Sequence, residues 1–382
     1  MIYFDNNATT PLDPAVCEKM TSVLRDHFGN PSSLYPIGRK AKEMVTESRE
    51  IISESLGAMR SEVLFTGSGT ESDNFAIRGY FSAHPEKKRF ITSAIEHPAV
   101  METANYLEAQ GISVTYLPVD QTGLIDPASL EESITPDTGL VSIMHANNEI
   151  GTIQPLKKLA EIARRHGVPV HTDAVQSFGK IKIDVNDLGI DLLALSAHKI
   201  YGPKGVGALY IRKGTRIDPL ILGGHQESLL RAGTENTAGI IGLGEAVRLM
   251  EKNRHSESER ITKLADQLKE GIEKRIPKIK FNGHPEKRIK GTLNFSFLGL
   301  EAEALLLSLA TKDIYVSTGS ACSEDSDEVS HVLAAIGLPP EVARTSLRIS
   351  LGRFSTEEDV NTVLDELPRI VGKLREITAM DI

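Results

Sequence analysis

A chain of 382 residues, 40% hydrophobic and 25% charged, is too long for one simple core and has the balance of an ordinary soluble globular protein. Its net charge of -9 argues against nucleic acid as a main partner, since phosphate binding needs a basic face, and no apolar run approaches the ~18 residues of a membrane span. The opening MIYFDNNATT lacks the segments of a signal peptide, and Cys17 and Cys322 offer neither a disulfide framework nor metal-ligand spacing, so a cytoplasmic location is expected.

Asp13 and Pro14, an N-cap and an N1 proline, open a first helix that turns Val16, Met20, Val23 and Leu24 inward, with Cys17 a packing residue. EVLFT (62–66) reads as a strand and TESDNFAIRGYFSA (70–83) as the helix after it. RFITSAI (89–95), SVTYLPV (113–119), GLVSIMH (139–145), VPVHTD (168–173) and DLLALSAH (191–198) read as further strands. VGALYIR (206–212) follows so closely that it must return antiparallel, because a parallel crossover needs about a dozen residues. Short apolar segments alternating with helices predict a mainly parallel sheet covered on both faces. A charged helical stretch from about 246 to 275 leads to GTLNFSF, STGSACSEDSD (317–327), TSLRISL and a last helix, opened by a Ser355–Glu358 capping box. Two units are expected: a large domain over 16–255, and a smaller α/β domain made of 1–15 and 256–382.

In open α/β sheets ligands bind beyond the carboxyl ends of the strands, and the unusual residues gather there. TGSGTES (66–72) can hold a phosphate on backbone N–H groups and Thr70, or be a plain helix cap with a tight turn. In HTDAVQS (171–177), Asp173 suits a protonated ring nitrogen, or an N-cap. SAHKIYGPKG (196–205) puts Ser196, His198 and Lys199 at the end of an apolar strand, where desolvation lowers a lysine's proton affinity and frees its amine for a carbonyl. Phosphate cradle, ring-nitrogen carboxylate and carbonyl-binding lysine are together what pyridoxal phosphate requires. His97 of EHPAV either stacks on a flat cofactor and moves protons, or caps a helix. Arg348 of LRISLGR projects opposite its apolar neighbours and suits bidentate carboxylate recognition, with a surface salt bridge as the alternative. ANNEIG (146–151) adds amides that can orient the same substrate.

With these residues in view the chain resembles the cysteine desulfurases of the NifS/IscS family, which have the aspartate-aminotransferase-like fold (pyridoxal-phosphate fold type I). The likeness runs through YFDNNATTP, HANNEIGTIQP, HTDAVQS, SAHKIYGPKGVGALYIRKG, LRAGTEN, STGSAC and LRISLGR. It implies a large domain with a mainly parallel seven-stranded sheet and a smaller α/β domain. By the same likeness Lys199 holds pyridoxal 5'-phosphate, Asp173 pairs with its ring nitrogen, Gln176 bonds its phenolic oxygen and His97 stacks on the ring. Gly69, Thr70, Ser196 and His198 take the phosphate, and Thr234 reaches it from the partner subunit of a homodimer. Asn148 and Arg348 take the carboxylate of the substrate, L-cysteine. TGSGTES stands where the family more often has TSGATES; both keep a small residue before the threonine. The long C-terminal tail with which IscS-type members dock their scaffold is missing from the resemblance.

A thiolate that receives sulfur at a buried cofactor and delivers it elsewhere needs a loop of small residues, and STGSACSEDSD is such a loop. Cys322 is therefore expected to carry the persulfide, on a mobile loop of about 317–330. The sulfur is expected to pass to an acceptor, an IscU/NifU-type scaffold or a tRNA-thiolation protein, with no direct nucleic-acid or membrane partner. The chain has no metal site of its own; Cys322 is the one candidate for a transient iron–sulfur ligand. Glu324, Asp325, Asp327 and Glu328 should raise the thiol's pKa and instead suit docking on a basic acceptor.

Overall fold

The computed structural model describes residues 1–318 and 329–380, with side chains as far as Ile377. Cys322 and the acids that follow it lie outside the described residues. The chain opens with a short strand β1 (Ile2–Tyr3). Seven more follow: β2 (Val63–Thr66), β3 (Arg89–Ser93), β4 (Ser113–Leu117), β5 (Thr138–Ser142), β6 (Val170–Asp173), β7 (Leu192–Ser196) and β8 (Gly207–Ile211). They form one sheet in the order β2-β8-β7-β6-β5-β3-β4. β8 runs antiparallel to both β7 and β2, and the other pairings are parallel. The short β7–β8 connection has the expected consequence.

Adjacent residues in these strands face opposite layers, as the pleat requires. Phe90, Leu140 and Leu192 join Phe75, Ile77 and Val100 from the helices Gly69–Ala83 and Pro98–Ala109. Ile91, Val141 and Leu193 join Ile52, Leu159 and Val247 from helices on the other side. Both faces are covered, which is why the strands read as unbroken apolar runs.

The helix Thr237–Arg275 begins against the large sheet through Leu243 and Val247 and ends in a separate apolar cluster through Leu268 and Ile272. That cluster is built on β9 (Ile279–Phe281), β10 (Thr292–Phe297), β11 (Ile314–Tyr315) and β12 (Ser346–Ser350). β12, β10 and β9 form an antiparallel sheet in that order, and β1 lies parallel to β11, pairing Ile2 with Ile314. Asp5 then bridges to Ser350, so the N-terminal segment crosses from the small sheet towards the carboxyl ends of the large one.

Three local expectations need correction. In the first helix, Pro14–Asp26, Asp13 caps Ala15 N as anticipated and Val16 and Val23 are buried, but Leu24 is 67% exposed and Cys17 is exposed too. Each lies about 100° around the helix from a buried neighbour, beyond a narrow inward stripe, so Cys17 does not serve packing. The capping box of the last helix, Glu357–Met380, falls one residue later than read. Thr356 N donates to Asp359 Oδ2 (2.9 Å) and Asp359 N to Thr356 Oγ1 (3.1 Å). Ser355 instead accepts from Gly352 N, closing the turn that leaves β12.

Candidate active site

The carboxyl ends of β2, β3, β6 and β7 open into a cleft of about 590 Å³. At one end lies the N-terminus of the helix Gly69–Ala83, where the Ser68 side chain accepts from Glu71 N and leaves the first backbone donors to the cleft. Gly69, Thr70, Ser196 and His198 line this end. A Cβ on Gly69 would stand 2.7 Å from Val175 Cγ2, so only glycine lets the helix start approach the turn after β6 this closely. His198 Nδ1 is 3.1 Å from Thr9 Oγ1, and burial pushes this imidazole down to about 4, so it is neutral near pH 7.

Lys199 follows β7 on a single tight turn, Ala197–Lys199, and its Nζ donates to the carbonyls of Asn7 and Ala8, at 2.5 and 2.7 Å. Across the cleft, Asp173 ends β6 and is buried. Its Oδ1 accepts from Val175 N at 2.8 Å, and Oδ2 has no hydrogen bond among the described residues. Burial pushes the Asp173 carboxyl up, while His97 and Lys199 hold it down. Two further buried acids behave differently. Asp73 is pushed well up by burial, with Asp173 and Glu96 adding to the effect, and Glu96 is pushed up to about 8 by burial. Of the three, Asp173 alone has a cationic neighbour, Lys199, to favour its ionised form, the separation of roles that pKa tuning produces.

These features fit pyridoxal phosphate. A buried carboxylate with one unbonded oxygen matches a protonated ring nitrogen, an amine on a short turn matches a carbonyl carbon, and the glycine-permitted helix start matches a dianion. Gln176 lines the same cleft, with Nε2 donating to Asn7 O at 2.9 Å.

His97 meets its capping reading and also faces the cleft. It caps the helix Pro98–Ala109 by accepting from Ala99 N on Nδ1 at 3.1 Å, and it lines the cleft. With Nδ1 used as an acceptor, the neutral ring carries its proton on Nε2. Burial lowers its pKa, as do Lys199 and His331, against Asp173, which raises it.

Arg348 lies on β12 with its side chain almost wholly buried at the cleft. Nη2 is 2.8 Å from Asp5 Oδ1 and Nη1 donates to Asn148 O at 3.3 Å. The ion pair is with the N-terminal segment rather than on the outer surface. The Asn148 side-chain amide lines the cleft without a partner among the described residues.

Thr234 is not brought here. It is exposed and lines a separate pocket with Gly67, Arg231 and Asn236. Both flanks of the segment that carries Cys322 do arrive. Ser317 exchanges backbone hydrogen bonds with Arg348, Ser330 Oγ donates to buried Glu149 Oε2 at 2.6 Å, and His331 Nε2 lies 2.8 Å from Glu96 O.

Sequence reading missed Asp5, Asn7, Lys180, Glu149 and His331. Asp5 and Asn7 stood inside the quoted YFDNNATTP, and Glu149 inside ANNEIG, so the motifs held the signal without saying which side chain carried it. Nothing in the sequence around His331 marked it.

The class-V aminotransferase family model matches residues 2–363. The chain is 50% identical to cysteine desulfurase IscS of Dictyoglomus turgidum, over 99% of this chain and 96% of that one. It is 51% identical to cysteine desulfurase IscS of Methanosarcina thermophila, over 99% and 94%. Among solved structures it matches a NifS-like protein with TM-score 0.92 at 38% identity, covering 98% of this chain and 100% of that one. It matches SspA in complex with cysteine with TM-score 0.83 at 41% identity, covering 93% and 100%. A sheet, a cleft and a full-length likeness that all point one way place the chain in the class-V aminotransferase family, among its cysteine desulfurases, whose members use pyridoxal 5'-phosphate.

Proposed function

We propose that this protein converts L-cysteine to L-alanine and passes the sulfur, as a persulfide on Cys322, to an acceptor protein. The observation that carries the reading is the convergence of Lys199, Asp173, His97 and Arg348 on one cleft that both flanks of the Cys322 segment also reach.

Arg348, held by Asp5, and the open amide of Asn148 bind the substrate carboxylate. Lys199 would hold the cofactor through its amine, and the same amine is the base placed to take the substrate's Cα proton. Pyridoxal phosphate supplies the electron sink that makes that proton removable. Asp173, raised by burial but held towards its ionised form by Lys199 and the Val175 N–H, would keep the ring nitrogen protonated. The Cys322 thiolate attacks the substrate sulfur, an S–S bond forms and the Cβ–S bond breaks with its electron pair left on the carbon skeleton, which takes up a proton. Sulfur is oxidised, carbon is reduced, and the products are alanine and the Cys322 persulfide. His97 manages the proton at sulfur through Nε2, because Nδ1 is committed to its cap.

The homodimer is part of the proposal. Thr234, exposed and outside its own cleft, completes the phosphate site of the partner subunit, and the exposed Leu222 and Leu229 nearby in sequence favour a covered surface there. The division at 16–255, with 1–15 and 256–382 as the smaller unit, is supported by two separate apolar cores. The acceptor, for iron–sulfur assembly or tRNA thiolation, rests on the resemblance. No helix among the described residues is long and apolar enough to cross a membrane.

The test is product stoichiometry. The holoenzyme is incubated with L-cysteine and a reductant, and alanine, sulfide and pyruvate are quantified beside Cys322→Ala. Equal alanine and sulfide, lost in the variant, is the expected result. Pyruvate with sulfide, undiminished in the variant, would mean β-elimination without a Cys322 persulfide.

A further inference from the structure

Lys180 lies four residues after Gln176, in a stretch that none of the site motifs singles out for chemistry. Its Nζ donates to Gln176 Oε1 and to Asn7 Oδ1, both at 2.9 Å. Gln176 Nε2 donates to the Asn7 carbonyl at 2.9 Å, the same oxygen that accepts from Lys199 Nζ. Asn7 is itself pinned, with Nδ2 donating to Asn148 O at 3.0 Å and Thr292 Oγ1 at 2.9 Å, and its backbone N to Ser350 Oγ at 3.0 Å.

These partners remove the usual ambiguity of a side-chain amide. In its ammonium form Lys180 only donates, so the Gln176 atom facing it is then oxygen; a backbone carbonyl only accepts, so the atom facing Asn7 O must be nitrogen. Were Lys180 absent, Oε1 would lose its donor and the Asn7 carbonyl alone would hold the carboxamide, less firmly. With Lys180 present, one Nε2 proton goes to Asn7 O and the other remains a donor at the cleft that Gln176 lines.

We infer that Lys180 is a positioning residue that fixes the Gln176 carboxamide with its NH2 end as the donor to the cofactor's phenolic oxygen. The inference rests on the reading of Gln176 as the residue at that oxygen. Lys180 also brings positive charge that no carboxylate within 4 Å neutralises among the described residues. The charged groups sharing its cavity are Lys199, Arg254, Glu257, Arg288, Lys290 and Arg353. Glu257 is taken by Arg353 at 2.6 Å and Arg254 by Glu251 at 2.9 Å. Burial, Lys199 and Arg348 push the Lys180 ammonium down to about 7, as an amine among cations should be. A cation and a donor chain aimed at one oxygen both favour its deprotonated form.

The test is a pH titration of the visible absorption of the bound cofactor in the wild-type holoenzyme and in Lys180→Met, Lys180→Arg, Gln176→Ala and the double variant Lys180→Met/Gln176→Ala. Asp173, His97 and His198 titrate at the same cleft in all five proteins, and Lys180, lowered to about 7, in the wild type and Gln176→Ala. The differences are therefore read with the two proteins that keep Lys180 compared with each other first. Lys180→Met and Gln176→Ala should each raise the midpoint by at least about half a unit, because each removes support for the deprotonated oxygen. The double variant should shift less than the sum of the two, since both changes break one chain. Lys180→Arg, which still only donates, should titrate like the wild type, and it carries the test by itself should Lys180→Met not fold. A shift in Gln176→Ala with none in Lys180→Met would overturn the inference and leave Gln176 at the phenolic oxygen. Additive shifts, or Lys180→Arg displaced as far as Gln176→Ala, would also overturn it. No shift in Gln176→Ala would remove the reading of Gln176 on which it stands.

Discussion

Asp5 and Arg348 show how a site residue depends on one far away in sequence. The Arg348 guanidinium is buried, and without Asp5 it would keep only the Asn148 carbonyl as a side-chain hydrogen-bond partner among the described residues. A guanidinium held in one orientation meets a substrate carboxylate with less rotamer freedom left to lose. Asp5→Asn should therefore raise the KM for L-cysteine about tenfold while kcat changes less, read from alanine formation against substrate concentration. A lower KM would mean that Asp5 competes for Arg348 rather than positioning it. Gly69 makes a second prediction at this scale. Its added methyl would meet Val175 Cγ2 at 2.7 Å and push the helix start away from the cleft, so Gly69→Ala should weaken retention of pyridoxal phosphate at least about tenfold, measured by dialysis and absorbance.

Single elements explain why the cleft has its shape. The strands end on residues whose next few backbone groups are needed as helix caps or tight turns. One short stretch thus caps a helix and presents a functional side chain, as His97 does for the helix Pro98–Ala109. The same economy tightens the passage out of β12, where Gly352 N bonds Ser355 and Thr356 begins the capping box of the last helix. That helix contributes Val360, Val363, Leu364 and Leu367 to the smaller core. Thr356→Ala should cost about 1 kcal/mol of stability in urea denaturation, with activity unchanged, because the cap lies away from the cleft. The equivalent change at Ser355 leaves the Gly352 N–H without its acceptor and should loosen the turn after Arg348's strand instead.

At the scale of the whole molecule, burial of ionisable groups under the sheet makes stability depend on pH. His171 is fully buried on β6, with Nδ1 2.7 Å from Ser142 Oγ, and burial pushes it down to about 3. Below its unfolded pKa of about 6.5 the unfolded chain binds a proton that the folded chain refuses. Its contribution is thus complete above that pH and is lost as pH falls towards 3. His145, pushed down to about 4, acts in the same sense. Glu96 acts oppositely: raised to about 8, it favours the folded state below its unfolded pKa, and that support fades as pH rises through 8. His171→Gln should make the loss of stability between pH 6 and pH 4 shallower by about 1.4 kcal/mol per pH unit, measured by denaturation at several pH values. An unchanged slope would place the titration elsewhere.

The large sheet was legible in the sequence because its strands are buried on both faces and so appear as unbroken apolar runs between helices. The short link from β7 to β8 dictated an antiparallel return. Lys199, Asp173 and the glycine turn at Gly69 were legible because strand ends that carry chemistry depart from the apolar pattern around them. The inward stripe of the first helix and the last capping box were misread by a residue, since neighbouring Ser, Thr, Asp and Glu all satisfy the local pattern and only packing selects among them. Lys180 could not be seen as part of the site: a lysine is ordinarily a solvated surface residue, and only the folded chain carries the N-terminal Asn7 across to it. Sequence by itself determined the layers and the chemistry at the strand ends, since both are written in local hydrophobicity and residue type. Tertiary structure decided which amide end faces the cleft, which acid holds Arg348 and which buried groups stay neutral, because those depend on partners brought together from opposite ends of the chain.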